Sequence, residues 1–308
     1  MSTASAPGKI ILFGEHAVVY NRPALAVPVF QAHADVEISD SPRPGIWVDA
    51  PDISLHAALS ALPHTDALRT VIDEFFRTQD IFAPPSLNIR ITSSIPVASG
   101  LGSGAAVSVA LIRALSTAIH RPLADADVNN LAYEIEKLHH GTPSGIDNTV
   151  ITYAKPVYFV RDQPIETFLV GQPFTLVIGN TGIPAPTKES VGDVRKLWLA
   201  DAPYWEKVFD RVGEIVQQAR VAIQDGDIPA LGPLMNENHR LLQQLTVSSS
   251  ALDKLVDAAR AAGAMGAKLS GGGRGGNMIA LVSSSNAKVV ATAIKSAGAL
   301  SIITTTVQ

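Results

Sequence analysis

The chain contains no cysteine, so disulfides, thiolate metal sites and cysteine nucleophiles are excluded. Such a composition fits a reducing compartment. No apolar run approaches the roughly 18 residues a membrane span needs. Met1 to Pro7 lacks a basic segment followed by an apolar one, so no signal peptide is expected. There is also no marked excess of positive charge. The formal net charge of -4 excludes broad attraction to nucleic acid or anionic lipid, and an anionic ligand has to be held by local groups. Internal repeats and low-complexity tails are absent as well. What remains is a cytoplasmic enzyme or a cytoplasmic binding protein.

With 308 residues, 46% hydrophobic and 17% charged, the chain is long enough for two domains and a sizeable core. Strand-like runs are Lys9 to Phe13, Leu25 to Phe30, Ala34 to Ser39 and Leu87 to Ile95. Leu68 to Arg77 and Ala105 to Ile119 read as helices. A third helix is expected from Asp127, as N-cap, to about His139, with Val128, Leu131, Ile135 and Leu138 as its buried stripe. Strands are expected at Thr149 to Tyr153 and Val157 to Val160. A second block opens with a strand from Phe174 to Gly179. Helices follow over Glu189 to Leu199, Tyr204 to Gln224, Ile228 to Leu245 and Leu252 to Ala262, the last capped by Ser250 with Asp253. Strands Ala267 to Leu269 and Met278 to Val282, helix Ala287 to Ala297 and strand Leu300 to Thr306 complete the chain. Without steady βαβ alternation, this order predicts an α+β fold. The domain boundary is placed between Val160 and Phe174.

Three glycine-containing segments stand apart. One is Pro7-Gly-Lys-Ile-Ile-Leu-Phe-Gly-Glu-His-Ala-Val-Val-Tyr20, which sets Lys9, Glu15 and His16 around a short apolar strand. Another, Pro96-Val-Ala-Ser-Gly-Leu-Gly-Ser-Gly-Ala-Ala106, joins a strand to a helix of small residues. Glycines there let the backbone approach a ligand, and unpaired N–H groups at the helix start attract an anion. The third is Lys268-Leu-Ser-Gly-Gly-Gly-Arg-Gly-Gly-Asn277, in which Arg274 is either a further anion contact or an incidental loop charge. Glu136 and Asp147 lie between the second and third segments. Glu136 falls about 80° round its helix from Val128, beside the apolar stripe, and can face a cleft. A nucleotide or phosphorylated metabolite is the expected ligand. Gly100 to Ala105 also fits the Gly-x-Gly-x-x-Ala of dinucleotide-binding folds, a weak signal alone. Its mid-chain position, and Pro96 between strand and loop, count against that reading. With no Gly-Lys-Ser/Thr ending, the loop is not a Walker P-loop.

These three segments, in this order and spacing, resemble the three motifs of the GHMP kinases over nearly the whole chain. Gly14-Glu-His-Ala-Val-Val-Tyr-Asn-Arg-Pro-Ala-Leu-Ala26 and His140-Gly-Thr-Pro-Ser-Gly-Ile-Asp-Asn148 are similar to the mevalonate kinase branch of that family. The resemblance implies a two-domain α+β fold. Residues 1–165 would form a ribosomal-protein-S5-like N-terminal domain carrying ATP binding and catalysis, and 166–308 a ferredoxin-like C-terminal domain. It implies ATP and Mg²⁺ as cofactors, mevalonate as acceptor, no nucleic-acid or membrane partner, and a homodimer, though no residue pattern marks oligomeric state.

By the same resemblance Asp147 accepts the proton of the substrate hydroxyl, and Lys9 steadies the hydroxyl and the transferring phosphoryl group. Pro96, Ser99, Gly100, Leu101, Gly102, Ser103, Gly104, Ala105 and Ala106 cradle the nucleotide phosphates. Glu136 is the Mg²⁺ ligand. Glu15, His16, Tyr20, Ser144 and Thr187 face the substrate. The family's second motif ends Gly-Leu-Gly-Ser-Ser-Ala, and its second serine is a Mg²⁺ ligand in mevalonate kinases. Gly104 stands in that place, so Ser103 or a water is the implied substitute. His139 and His140 point apart on a helix and read as structural or surface groups. Two alternatives stay open. One is a sibling acting on phosphomevalonate, diphosphomevalonate, a sugar or homoserine; the other is a sensor that kept the fold without the chemistry.

Overall fold

The computed structural model describes residues 1–96, 99–140, 144–164, 166–185 and 187–308, without the side chains of 139 and 140. Several expected features therefore lie outside the described residues: Val97 and Ala98 of the second segment, Gly141 to Pro143 before Ser144, Ile165 at the domain boundary, Pro186 ahead of Thr187, and the two histidine side chains.

The chain divides into two compact units that alternate along the sequence. One comprises Met1–Gly8, Ala32–Val97 and Gly102–Ala154; the other comprises Lys9–Gln31, Ala98–Leu101 and Lys155–Gln308. Two long strands, β1 (Ser2–Phe13) and β2 (Ala24–Asp40), contribute to both units and pair with each other.

In the first unit, β3 (Ile46–Ala50) pairs antiparallel with β4 (Leu55–Ala58). On its other side β3 runs parallel to β5 (Leu87–Ser93), which pairs antiparallel with the second half of β2. Alternation drives this pairing: Val36 opposes Ile91 and Ile38 opposes Ile89 on the buried face, while Glu37 opposes Arg90 on the exposed face. Helix α1 (Ala67–Thr78) is capped by Asp66, which accepts from the N–H groups of Leu68 and Arg69. It buries Val71, Ile72, Phe75 and Phe76. Helix α2 (Ser103–Ala118) is apolar nearly all round, as a central helix must be. It packs against α1, α3 (Asp125–His140) and α4 (Ile146–Tyr153).

In the second unit, the first half of β2 pairs with β6 (Val157–Phe159), and β6 with β7 (Glu166–Thr167). A four-stranded antiparallel sheet is ordered β11-β8-β10-β9: β8 is Phe174–Asn180, β9 Gly266–Ser270, β10 Asn277–Val282 and β11 Ser301–Val307. Residues of β9 and β10 are buried throughout, which explains their near-continuous apolar runs. The helices are α5 (Thr187–Ala200), α6 (Ala202–Asp225), α7 (Ile228–Gln244), α8 (Ser250–Ala261) and α9 (Ala287–Ser296). Of these, α7 and α8 pack on β9, and α9 on β8 and β11.

The α+β reading and most elements hold, with several corrections. The expected strand at Thr149 to Tyr153 is the helix α4. Its β-branched residues favour a strand in isolation, but packing against α2 and α3 decides, and Thr149 Oγ1 donates back to Gly145 O at 2.8 Å. Leu25 to Phe30 and Ala34 to Ser39 merge into the 17-residue β2, with buried Ala32 bridging them. The short strands β3, β4 and β7 were not expected. Helix α3 begins at Asp125, so Asp127 is in its first turn and is not its cap. Leu138 does not complete the buried stripe: it is 64% exposed. It lines a cavity of about 520 Å³ between α1 and α3 together with Glu74, Asp127, Leu131 and Glu134. Ser249, whose side chain accepts from Leu252 N–H, caps α8 in place of Ser250. Asp201 caps α6, while Glu206 and Asp210 on the same helix hold Arg22.

Candidate active site

In the second unit the first glycine-containing segment ends β1 in a sharp turn. Gly14 has φ +98°, and a Cβ there would meet Ala24 Cα at 2.5 Å, so only glycine lets the chain pass this point. The turn buries Glu15 and His16 side by side, at 2% and 5% exposure. His16 holds φ +62°, a strained conformation for a residue with a side chain, of the kind concentrated at functional sites.

Both side chains reach the third glycine-rich segment. Lys268, wholly buried on β9, donates through Nζ to Glu15 Oε1 and to Leu269 O. Burial pulls the Lys268 ammonium below its usual range, and the Glu15 carboxylate pulls it back up. His16 Nε2 lies 3.0 Å from Gly272 O. A carbonyl only accepts, so Nε2 carries the proton, and burial holds the ring neutral by lowering its pKa to about 4. Two buried acceptor atoms then have no hydrogen-bond partner among the described residues, Glu15 Oε2 and His16 Nδ1. A buried acceptor without a donor is costly, and a ligand hydroxyl would satisfy either one.

The glycine run itself follows β9. Gly273 has φ +78°, and a Cβ on it would lie 1.9 Å from Val247 O, so the loop is shaped around a point only glycine occupies. Arg274 is engaged within the protein: Nη1 donates to Asp193 Oδ2 at 2.7 Å, and its N–H to Val247 O. Thr187 opens α5 and lies against this loop, since a Cβ on Gly272 would meet its Oγ1 at 2.7 Å. Tyr20 stacks on Phe209, with ring centroids 4.1 Å apart, and is tilted against Trp198. Lys9 is buried on β1, and its N–H donates to Leu101 O at 2.9 Å. Ser99 is buried as well; its carbonyl accepts from Asn277 Nδ2 at 2.6 Å, and among the described residues its Oγ has no partner.

In the first unit, Gly102 is the N-cap of α2 and offers no side chain to its N–H groups. The first helical bond is Ala106 N–H to Gly102 O, so the amides of Ser103, Gly104 and Ala105 precede the ladder and suit an anion. Ala105 and Ala106 are buried, and Gly104 is exposed with open space where a Cβ would stand. Glu136 is half-buried on α3. Asp147 is half-buried in the first turn of α4, where the helix dipole favours a carboxylate. Ser144 Oγ accepts from Ile146 N–H just before that helix.

The structure thus brings Glu15, His16 and Thr187 to the third glycine loop, and Ser99 to Asn277, within one unit. Ser144, Asp147, Glu136 and Ser103 belong to the other. Pro96 is exposed ahead of the second segment. Sequence reasoning missed Lys268 and Asn277 as structural partners. A lysine inside an otherwise apolar strand is the signal for the first, because a buried ammonium demands a carboxylate. Nothing in the sequence names Glu15 as that carboxylate.

Comparison with known proteins places these features in context. The family model described as GHMP kinases N terminal domain matches residues 65–155, and that described as GHMP kinases C terminal matches residues 219–300. The mevalonate kinase of Thermococcus sibiricus is 37% identical, over 98% of this chain and 95% of the relative. That of Pyrococcus abyssi is 36% identical, over 98% and 94%. Among solved structures, L. major mevalonate kinase in complex with R-mevalonate superposes with a TM-score of 0.87 at 33% identity, covering all of this chain and 96% of the other.

Proposed function

We propose that this chain, which belongs to the GHMP kinase family, phosphorylates the 5-hydroxyl of mevalonate with ATP, giving 5-phosphomevalonate and ADP. Full-length similarity to mevalonate kinases carries the reading, one of them solved with R-mevalonate bound. The buried acceptors Glu15 Oε2 and His16 Nδ1 support it, since an acceptor molecule rich in hydroxyls supplies the donors they lack.

Phosphoryl transfer of this kind rests on position and charge more than on covalent chemistry. Asp147 takes the hydroxyl proton as the phosphoryl group is transferred, and Lys9 offsets negative charge on the transferring group. The segment from Pro96 to Ala106 binds the phosphates, with the leading amides of α2 as donors. Glu15, His16, Tyr20, Ser144 and Thr187 orient the acceptor. Along the sequence, ATP binding and catalysis are assigned to residues 1–165, which supply all of the first compact unit and parts of the second, and 166–308 to the C-terminal domain.

Mg²⁺ fits the donor set. Among the described residues, no group of three or more His, Cys, Asp or Glu could cage a metal alone. An ion that arrives on nucleotide phosphates with several waters needs only one or two protein oxygens. Glu136 and Ser103 would supply them, and the ion would offset charge on the phosphates. Among the described residues no helix is long and apolar enough to cross a membrane; a cytoplasmic homodimer completes the proposal.

The test is ADP release coupled to a reporter, with mevalonate as acceptor, followed by phosphorus NMR of the product. A phosphomonoester on the 5-oxygen is expected. ADP release with phosphomevalonate, a sugar or homoserine but none with mevalonate would move the enzyme to a sibling reaction, and nucleotide binding without ADP release on any acceptor would make it a sensor.

A further inference from the structure

We propose that Lys268 is a positioning residue for this reaction, acting on the acceptor through Glu15. The inference rests on the acceptor role given to Glu15 above. Three observations point to it. Lys268 and Glu15 are both buried, and Lys268 Nζ takes only one carboxylate oxygen, leaving Oε2 without a partner among the described residues. Its other bond, to Leu269 O, ties the ammonium to the backbone of β9. Ser270 Oγ, next along the strand, donates to Ile11 O, and His16 bonds to Gly272 O just beyond. The Gly14 turn and the glycine run are therefore fastened at successive points, with the charged pair innermost.

The anchoring extends behind β9, an edge strand of its sheet. Its outward polar groups are met by side chains: Asn236 Oδ1 accepts from Ala267 N–H, Arg260 donates to Ala267 O, and His239 Nδ1 accepts from Leu269 N–H. His239 in turn reaches Asp253, which also accepts from Ser248. Held from both sides, Lys268 has little freedom, and the Glu15 carboxylate is fixed with one oxygen spoken for.

The expected consequence is a defect in acceptor binding at a residue that touches no substrate. Lys268→Met should raise the acceptor KM by about tenfold or more, the worth of a hydrogen bond to a charged group, with the ATP KM nearly unchanged.

Four proteins settle the matter: wild type, Lys268→Met, Glu15→Gln and the double variant. If Lys268 works through Glu15, the double variant matches Glu15→Gln and the two defects do not multiply. A folded Lys268→Met with an unchanged acceptor KM, or single defects that multiply in the double variant, would overturn the proposal. Should Lys268→Met fail to fold, the double variant leaves no lone buried charge and carries the comparison with Glu15→Gln. Absence of wild-type turnover on mevalonate sinks the acceptor assignment instead, and the same four proteins are then compared on the acceptor that is turned over.

Discussion

Asp147 sits where a carboxylate is both tolerated and useful, in the first turn of α4 with its side chain half-buried. On its proposed role, replacing it by alanine removes the proton acceptor without opening a cavity in the core. Turnover should fall by about 10²- to 10⁴-fold, the usual worth of general base catalysis, while nucleotide affinity measured by equilibrium binding stays near wild type. Near-normal turnover would take Asp147 out of the mechanism. Lys268 belongs to another category. A buried ion pair often adds little net stability against a well-packed apolar substitute; what it fixes is geometry, here which oxygen of Glu15 remains open.

At the scale of elements, the start of α2 offers a direct experiment on the one departure from the family's second motif. Gly104 is exposed, and a Cβ there would meet nothing within 4 Å. Gly104→Ser should therefore be accommodated and gain about 0.5 kcal/mol of helix propensity, raising Tm by about 1–2 °C. On the Mg²⁺ assignment it should also lower the Mg²⁺ concentration for half-maximal rate. A fall in Tm would mean that the first turn has less room than its surroundings suggest. Elements of this kind were legible in the chain because local signals agreed: strand, glycines, then a long run of small apolar residues. Helix α4 was not, since Thr149, Val150, Ile151 and Thr152 favour a strand until their packing partners are known. The motif residues were readable one by one. Their pairings, Glu15 with Lys268 and Ser99 with Asn277, span 253 and 178 positions and leave no periodic trace in the sequence.

At the scale of the whole molecule, two buried histidines tie stability to pH. His16 and His239 are each lowered to about 4, chiefly by burial, from an ordinary value of 6.5. The unfolded chain therefore takes up these protons first on acidification, and the stability the neutral rings contribute is full above about pH 6.5 and drains away towards pH 4. Each contributes up to about 3 kcal/mol over that window. Denaturant melts from pH 7 to pH 4 should show the loss, and His239→Gln should reduce its steepness. A flat profile across that window would mean that the rings are accessible to protons in the native state.

The alternation of the two units along the sequence also shapes how the protein is born. Everything the first unit requires has been synthesised once Ala154 is made, whereas Lys9–Gln31 belongs with a partner segment that is complete only at Gln308. At the usual pace of synthesis, roughly 5–20 residues per second, that early piece waits on the order of ten seconds to a minute for its companions. A nascent chain stalled near Lys155 would hold one unit with all its parts and, at its own beginning, an orphan stretch of the other. Newly made enzyme should accordingly depend on holdase chaperones most strongly during the second half of translation.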